Sequence, residues 1–179
     1  MHYNNLSDHT TLHIRPAAAA DLPAIMELIG QAQSDFKAAG IDQWQDGYPN
    51  ETAILSDIKA SESYVILSDD KIVATAMISF AGEPTYNTIE GAWITDNPYA
   101  VIHRVAVNRA VKGRGIARQI IEWTRQMCIE NGIPSIRIDT HQDNKAMQRC
   151  AARAGFRYCG IITLTSGAKR LAYEMVTGI

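Results

Sequence analysis

Residues Val101–Arg118 read VIHRVAVNRAVKGRGIAR. A β-branched run, a basic link, Gly113 and Gly115 one residue apart, and then a strong helical pattern place a strand, a loop and a helix N-terminus in immediate succession. The first turn of a helix carries N–H groups with no internal partner, and the helix dipole adds positive potential there. Two glycines without Cβ let backbone approach a ligand oxygen closely, and Lys112, Arg114 and Arg118 add charge around it. A lone Gly-x-Gly reads more readily as a tight turn. Here the flanking strand and the basic residues favour an anion site, with a phosphate or pyrophosphate as the expected guest.

Composition narrows what surrounds that site. The chain has 179 residues, 46% hydrophobic and 20% charged, which suits one globular domain with its own core. Seventeen basic against 19 acidic residues leave a net charge of -2, so no global field draws nucleic acid or an anionic membrane. Cys128, Cys150 and Cys159 are odd in number and lie in apolar segments, so a reducing, cytoplasmic setting is expected rather than a disulfide framework. No metal-ligand spacing occurs, and no metal is expected. Residues 1–10 are polar, lack the apolar core of a signal peptide, and read as a flexible tail before one domain over 11–179.

Outward from the opening stretch, Thr11 to Arg15 alternates as a strand. Leu22, Ile25, Met26, Ile29, Ala32 and Phe36 recur at helical spacing up to Gly40, with Gly30 able to split that helix in two. Residues 41–49 form a polar loop carrying Trp44 and Tyr48, which either line a ligand site or cover the core. Asn50 caps a helix to about Ala60, and Tyr64–Leu67 with Lys71–Phe80 read as a hairpin. Residues 81–99 show little periodicity, and Glu83, Tyr86, Glu90 and Trp93 there either sit on a solvated surface loop, which is the plainer reading of each alone, or are offered to an acceptor. Downstream come a helix from Ile116 to about Asn131, a strand at 135–140, a helix capped by Asn144 and ended by Gly155, and two terminal strands.

This order resembles the GNAT superfamily of acetyl-CoA-dependent N-acetyltransferases over roughly His13 to Val176. The family's signature of Arg or Gln, two residues, Gly, one residue, then Gly or Ala falls on Lys112, Gly115 and Ala117, with Lys112 a conservative departure. A second signature, Asn followed after ten residues by Gly-Phe, falls on Asn144 and Gly155-Phe156. The resemblance implies an α/β (α+β) fold with a mixed, mostly antiparallel twisted sheet of about six to seven strands flanked by helices. It also implies acetyl-CoA as co-substrate, held by the strand Val105, Ala106 and Val107, by Lys112, Gly113, Arg114, Gly115, Ile116, Ala117 and Arg118, and by Asn144. Many members place a tyrosine seven residues after that asparagine to protonate the departing thiolate, but here Ala151 stands there. Water, Cys150 and Tyr173 are the open replacements. The motifs IDQWQ-x-GYP at 41–49 and IDTH-x-DN at 138–144 further resemble a narrower bacterial set without a settled acceptor.

The chemistry so implied is attack of an amine, from a small molecule or a peptide, on the thioester carbonyl. Such a step needs a base, oxyanion donors and a partner for the thiolate. Backbone N–H groups at Val105 to Val107 are the expected oxyanion donors. Two histidines are candidate catalytic bases. His141 follows a strand end beside the inferred cleft, where it serves as base or loop cap. His103 alternates in phase with Val101, Val105 and Val107, which reads first as a packed core histidine. Glu83 and Glu90 could act through water, while Trp44, Tyr48, Glu83, Tyr86 and Trp93 are the candidate acceptor contacts. Cys150 as a covalent nucleophile is the weaker idea.

Two rival readings stand beside this one. A non-catalytic acyl-CoA-binding regulatory module is admissible because of Ala151. An NAD(P)-dependent oxidoreductase would use the strand, glycines and helix in the Rossmann order, but Gly113 lies six positions after Val107 and Arg118 occupies the third-glycine position. Oligomeric state stays open, a homodimer among the options.

Overall fold

A computed structural model describes residues 12–96 and 98–178. The stretch expected as a tail, 1–10, lies outside the described residues, as does Thr11 of the first expected strand. The chain runs β1 (Leu12–Pro16), α1 (Leu22–Ala38), α2 (Glu51–Lys59), β2 (Ser63–Ser68), β3 (Lys71–Ser79), β4 (Ile89–Gly91) and β5 (Ala100–Val107). It continues with α3 (Ile116–Glu130), β6 (Ser135–Thr140), α4 (Lys145–Ala154), β7 (Arg157–Thr163) and β8 (Lys169–Val176). One sheet holds all eight strands in the order β1-β2-β3-β5-β6-β8-β7-β4. Among the described residues, only β5 and β6 pair in parallel; the other neighbours are antiparallel. This arrangement overturns the dinucleotide-dehydrogenase reading, which requires a doubly wound parallel sheet.

Two apolar layers hold the sheet. On one face Ile120, Ile121 and Cys128 of α3 and Ala151 of α4 pack on Ile102, Ile136 and Ile138. On the other, Ile25, Leu28, Ile29 and Ala32 of α1 with Ile54 of α2 cover Val65 and Ala106. The helices start where the sequence offers a cap: Asn50 Oδ1 accepts from Ala53 N–H, and Asn144 Oδ1 from Met147 N–H. Gly30 does not split α1, which runs unbroken through it with Gly30 exposed.

Two local features escaped the sequence pattern, and both shape the cleft. Residues 81–99 are not irregular throughout. Glu83 caps a short 3₁₀ turn at Pro84–Asn87, and three residues pair with β7 as β4, which raises the strand count to eight. The second feature is a bulge in β5. Thr75 pairs with Ala106 but Met77 pairs with His103, so β5 carries one extra residue, and Arg104 takes φ 53° there. An inserted residue reverses the in-and-out alternation beyond it. Val101 and His103 therefore pack toward Tyr86, whereas Ile102, Val105 and Val107 face α3 and α4. His103 is not in phase with Val105 and Val107, contrary to the alternation expected from sequence.

Candidate active site

β5 and β6 begin as a parallel pair at Ala100↔Ile136 and Val101↔Arg137, and the ladder ends there. From Ile102 onward the two strands part, leaving one edge of β5 without a ladder partner. Asn108 N–H donates to Val73 C=O on β3. Antiparallel alternation then turns the Ala106 backbone toward β3 and the Val105 and Val107 backbone toward the open edge. Of the three expected backbone contacts, Ala106 is corrected: its peptide groups serve β3, and its side chain is buried under α1.

The open edge leads to the N-terminus of α3. Gly113 and Gly115 have φ 84° and 80°, and no atom lies within 4 Å of a Cβ built on either. Left-handed backbone, not crowding, is what demands glycine here. The space in front of the 15-residue helix stays open, and its unpaired first-turn N–H groups face it. Arg114 and Arg118 are exposed around this loop. Lys112 differs from expectation, because its ammonium pairs with Asp35 of α1, as does Arg109 at 2.6 Å. That pairing holds the Asp35 carboxyl below its ordinary range and fastens the loop to α1.

Where β5 and β6 part, a cleft of about 560 Å³ opens between the 42–48 loop, the strand ends and the loop joining β7 to β8. His103 lines it, between two carboxylates: Glu83 Oε2 is 3.4 Å from Nε2, and Asp139 Oδ1 is 3.6 Å from Nδ1. Either contact is an ion pair only when the imidazole carries a second proton, and Nε2 has no aligned hydrogen-bond partner. Asp139 is oriented by the Tyr86 hydroxyl, which donates at 2.7 Å, and Glu83 by the backbone and hydroxyl of Thr85 at 3.0 and 2.9 Å. The neighbouring imidazole, opposed by burial and aided by Thr85, lowers the Glu83 carboxyl to about 2. A carboxylate, an imidazole and a second carboxylate thus stand at the mouth of the β5–β6 opening.

The chain matches the Acetyltransferase (GNAT) family over residues 25–156. It belongs to the GNAT acetyltransferase family. Among solved structures, a GNAT-family acetyltransferase from Streptococcus agalactiae is similar at 34% identity and TM-score 0.83, covering 92% of this chain and 95% of that one. Two more distant proteins share the fold. The PaiA N-acetyltransferase of Thermoplasma acidophilum, in complex with coenzyme A, has 15% identity, TM-score 0.69, and coverage of 93% and 99%. The ribosomal-protein-S18-alanine N-acetyltransferase of Escherichia coli has 14% identity, TM-score 0.64, and coverage of 94% and 96%. No curated protein matches the chain. Among the described residues, no group of His, Cys, Asp and Glu gathers to hold a metal ion, and no helix is long and apolar enough to cross a membrane.

Within this GNAT frame, the two histidines exchange places. His141 does not line the cleft; its Nδ1 accepts from Asp143 N–H at 3.2 Å, closing the turn before α4. His103, which read first as a core residue, is the one in the cleft. Of the candidate acceptor contacts, Trp44, Tyr48 and Glu83 line the cleft. Tyr86 and Trp93 do not. Tyr86 is 1% exposed and backs Asp139, and Trp93 packs on Tyr86 and donates its indole N–H to the Tyr86 carbonyl. Ala151 is wholly buried against the sheet, and neither Cys150 nor Tyr173 reaches the cleft. Burial raises the Cys150 thiol above its ordinary range, against a reactive thiolate.

Several cleft residues were not singled out from sequence. Asp139 alternates away from the apolar Ile136 and Ile138, a signal that was readable in β6. Arg104 had none, since nothing in the sequence marks the bulge that aims it. It pairs with buried Asp57 of α2 at 3.1 Å and lies over the Tyr48 ring at 5.3 Å. Burial pushes the Asp57 carboxyl up against the pull of Arg104. Gln43 accepts from the Asn144 side-chain amide at 3.0 Å, joining the 41–49 motif to the 138–144 motif across the cleft.

Proposed function

We propose that the protein is an N-acetyltransferase that moves an acetyl group from acetyl-CoA to a primary amine by direct attack, with His103 as the general base. The observation that carries this reading is the position of His103, between Glu83 and Asp139, at the point where β5 and β6 separate. The residues present fit the donor. The open edge at Val105 and Val107 can pair with an amide-bearing arm, and the glycine loop before α3 leaves room for phosphate oxygens. Bound acetyl-CoA would supply an activated acyl group on a good leaving sulfur.

Each protein group then has a definable task. Glu83 and Asp139 fix the imidazole and favour an approaching ammonium, and His103 takes the proton the amine must lose. Backbone N–H groups at the open edge of β5 can stabilise negative charge developing on the carbonyl oxygen. For the acceptor, the cleft offers four carboxylates, Asp42, Asp46, Glu83 and Asp139, against the guanidinium groups of Arg104 and Arg170. That excess favours a cationic amine, on a small molecule or a peptide. A sheet continuous from β1 to β8 supports reading 11–179 as one acetyltransferase domain, and three free thiols suit a cytoplasmic setting.

The test is release of free CoA from acetyl-CoA across a panel of amines, polyamines and peptides, with thermal shift as the binding control. Turnover with at least one amine and a stabilising shift with acetyl-CoA are expected. A shift with acetyl-CoA but no turnover on any amine would favour the non-catalytic module that Ala151 admits.

A further inference from the structure

Breaking the thioester makes a second demand, at the end of the bond opposite the amine: the departing sulfur needs a hydrogen-bond donor. Ala151, in the position of the family's tyrosine, has no polar side-chain atom and is wholly buried. Cys150 and Tyr173 do not reach the cleft.

Thr140 does. It ends β6, lines the cleft and is 1% exposed, and its Oγ1 has no hydrogen-bond partner. Alternate residues of a strand share a face, so Thr140 leaves the sheet with Ile136 and Ile138, on the side packed by α3 and α4. Asp139 leaves on the opposite side, toward His103. The bulge divides β5 in the same way, with Ile102 and Val105 on the α4 side and His103 on the other. The opening between the strands therefore has an imidazole on one face and an unpartnered hydroxyl on the other. Asn144 also lines the cleft, but its amide is committed at both ends, to Met147 N–H and to Gln43. A buried hydroxyl without a partner is destabilising, and native proteins rarely leave one.

We infer that Thr140 Oγ1 donates a hydrogen bond to the thioester sulfur as it departs, in place of the missing tyrosine hydroxyl. The inference rests on the acetyl-CoA reading above. In the transfer, the amine nitrogen forms the new C–N bond and its proton passes to His103. The C–S bond breaks with its electron pair moving to sulfur. Thr140 keeps its own proton, because an alcohol is a much weaker acid than a thiol; it stabilises the thiolate, which later takes a proton from solvent.

The thiol pKa of CoA bound to the protein reads this contact without any acceptor, through thiolate absorbance in a pH titration. The wild type and Thr140→Ser are expected to titrate about one pH unit below Thr140→Val. Valine keeps the shape of threonine, and thermal melts check that each variant is folded. The titratable groups that line the cleft, Asp42, Asp46 and Tyr48 on the loop and Glu83, His103, Arg104, Asp139 and Arg170 around it, are the same in all three proteins. Equal thiol pKa values in the wild type and Thr140→Val overturn the proposal, as does a serine variant that titrates with valine. Failure of the wild type to bind CoA at all would contradict the donor reading itself.

Discussion

His103 owes its place to its neighbour. Arg104 at φ 53° is the inserted residue that turns His103 away from the valines after it and toward Glu83 and Asp139. No residue type announces a bulge centred on arginine, so simple alternation assigned His103 to the core. His141 was prominent for the opposite reason, since a histidine after a strand end resembles a site residue whether it meets substrate or caps a turn. Its Nδ1 is engaged by Asp143 N–H, so His141→Ala is expected to leave turnover near wild type and cost about 1 kcal/mol or less in a thermal melt. Glu83 gives a pH signature. Its carboxyl falls from the ordinary 4.5 to about 2, so the stability its ionised form contributes is present above pH 4.5 and lost as pH drops toward 2. Glu83→Gln is therefore expected to melt below the wild type at neutral pH, with the gap closing between pH 4.5 and 2. A gap independent of pH would remove the interaction with His103.

Among the elements, those with a long period and a cap were legible in sequence. Asn50 and Asn144 mark the starts of α2 and α4, and both accept from the third residue of the following turn. β4 was not legible, because three residues cannot establish an alternation and its pairing depends on β7, far away in sequence. Nearby, the chain at Ile94 and Thr95 is anchored by buried Glu174, which also accepts from Ser135 and Arg137. Burial pushes the Glu174 carboxyl up, but these donors outweigh it and hold it low. Glu174→Ala is expected to cost about 3–5 kcal/mol, because Arg137 would be left buried with its charge uncompensated. At the glycine loop, Gly115→Val places a β-branched residue at φ 80°, where an L side chain is strained by about 1–2 kcal/mol. A side chain there also enters the space proposed for phosphate. Calorimetry is expected to show acetyl-CoA affinity reduced more than tenfold, beyond any change in the melt; retained affinity would remove the loop from the donor site.

Across the whole molecule, the two halves of the reaction are encoded differently. The strand, loop and helix from Val101 to Arg118 are contiguous, so the proposed donor site is carried by one local pattern. The proposed acceptor side is assembled from the 42–48 loop, Glu83, His103, Asp139 and the β7–β8 connection, which meet only through the sheet order. Tertiary pairing, rather than local spacing, brings Glu83 and Asp139 to the same imidazole. The sequence could name Glu83 as an outside candidate, but not its partner. Everything proposed for the acceptor half depends on His103 acting as the base. The most direct measurement is steady-state CoA release at saturating acetyl-CoA and amine, comparing the wild type with His103→Gln. A fall of about a hundredfold or more is expected, with acetyl-CoA affinity unchanged; turnover within a few-fold of wild type would contradict that role.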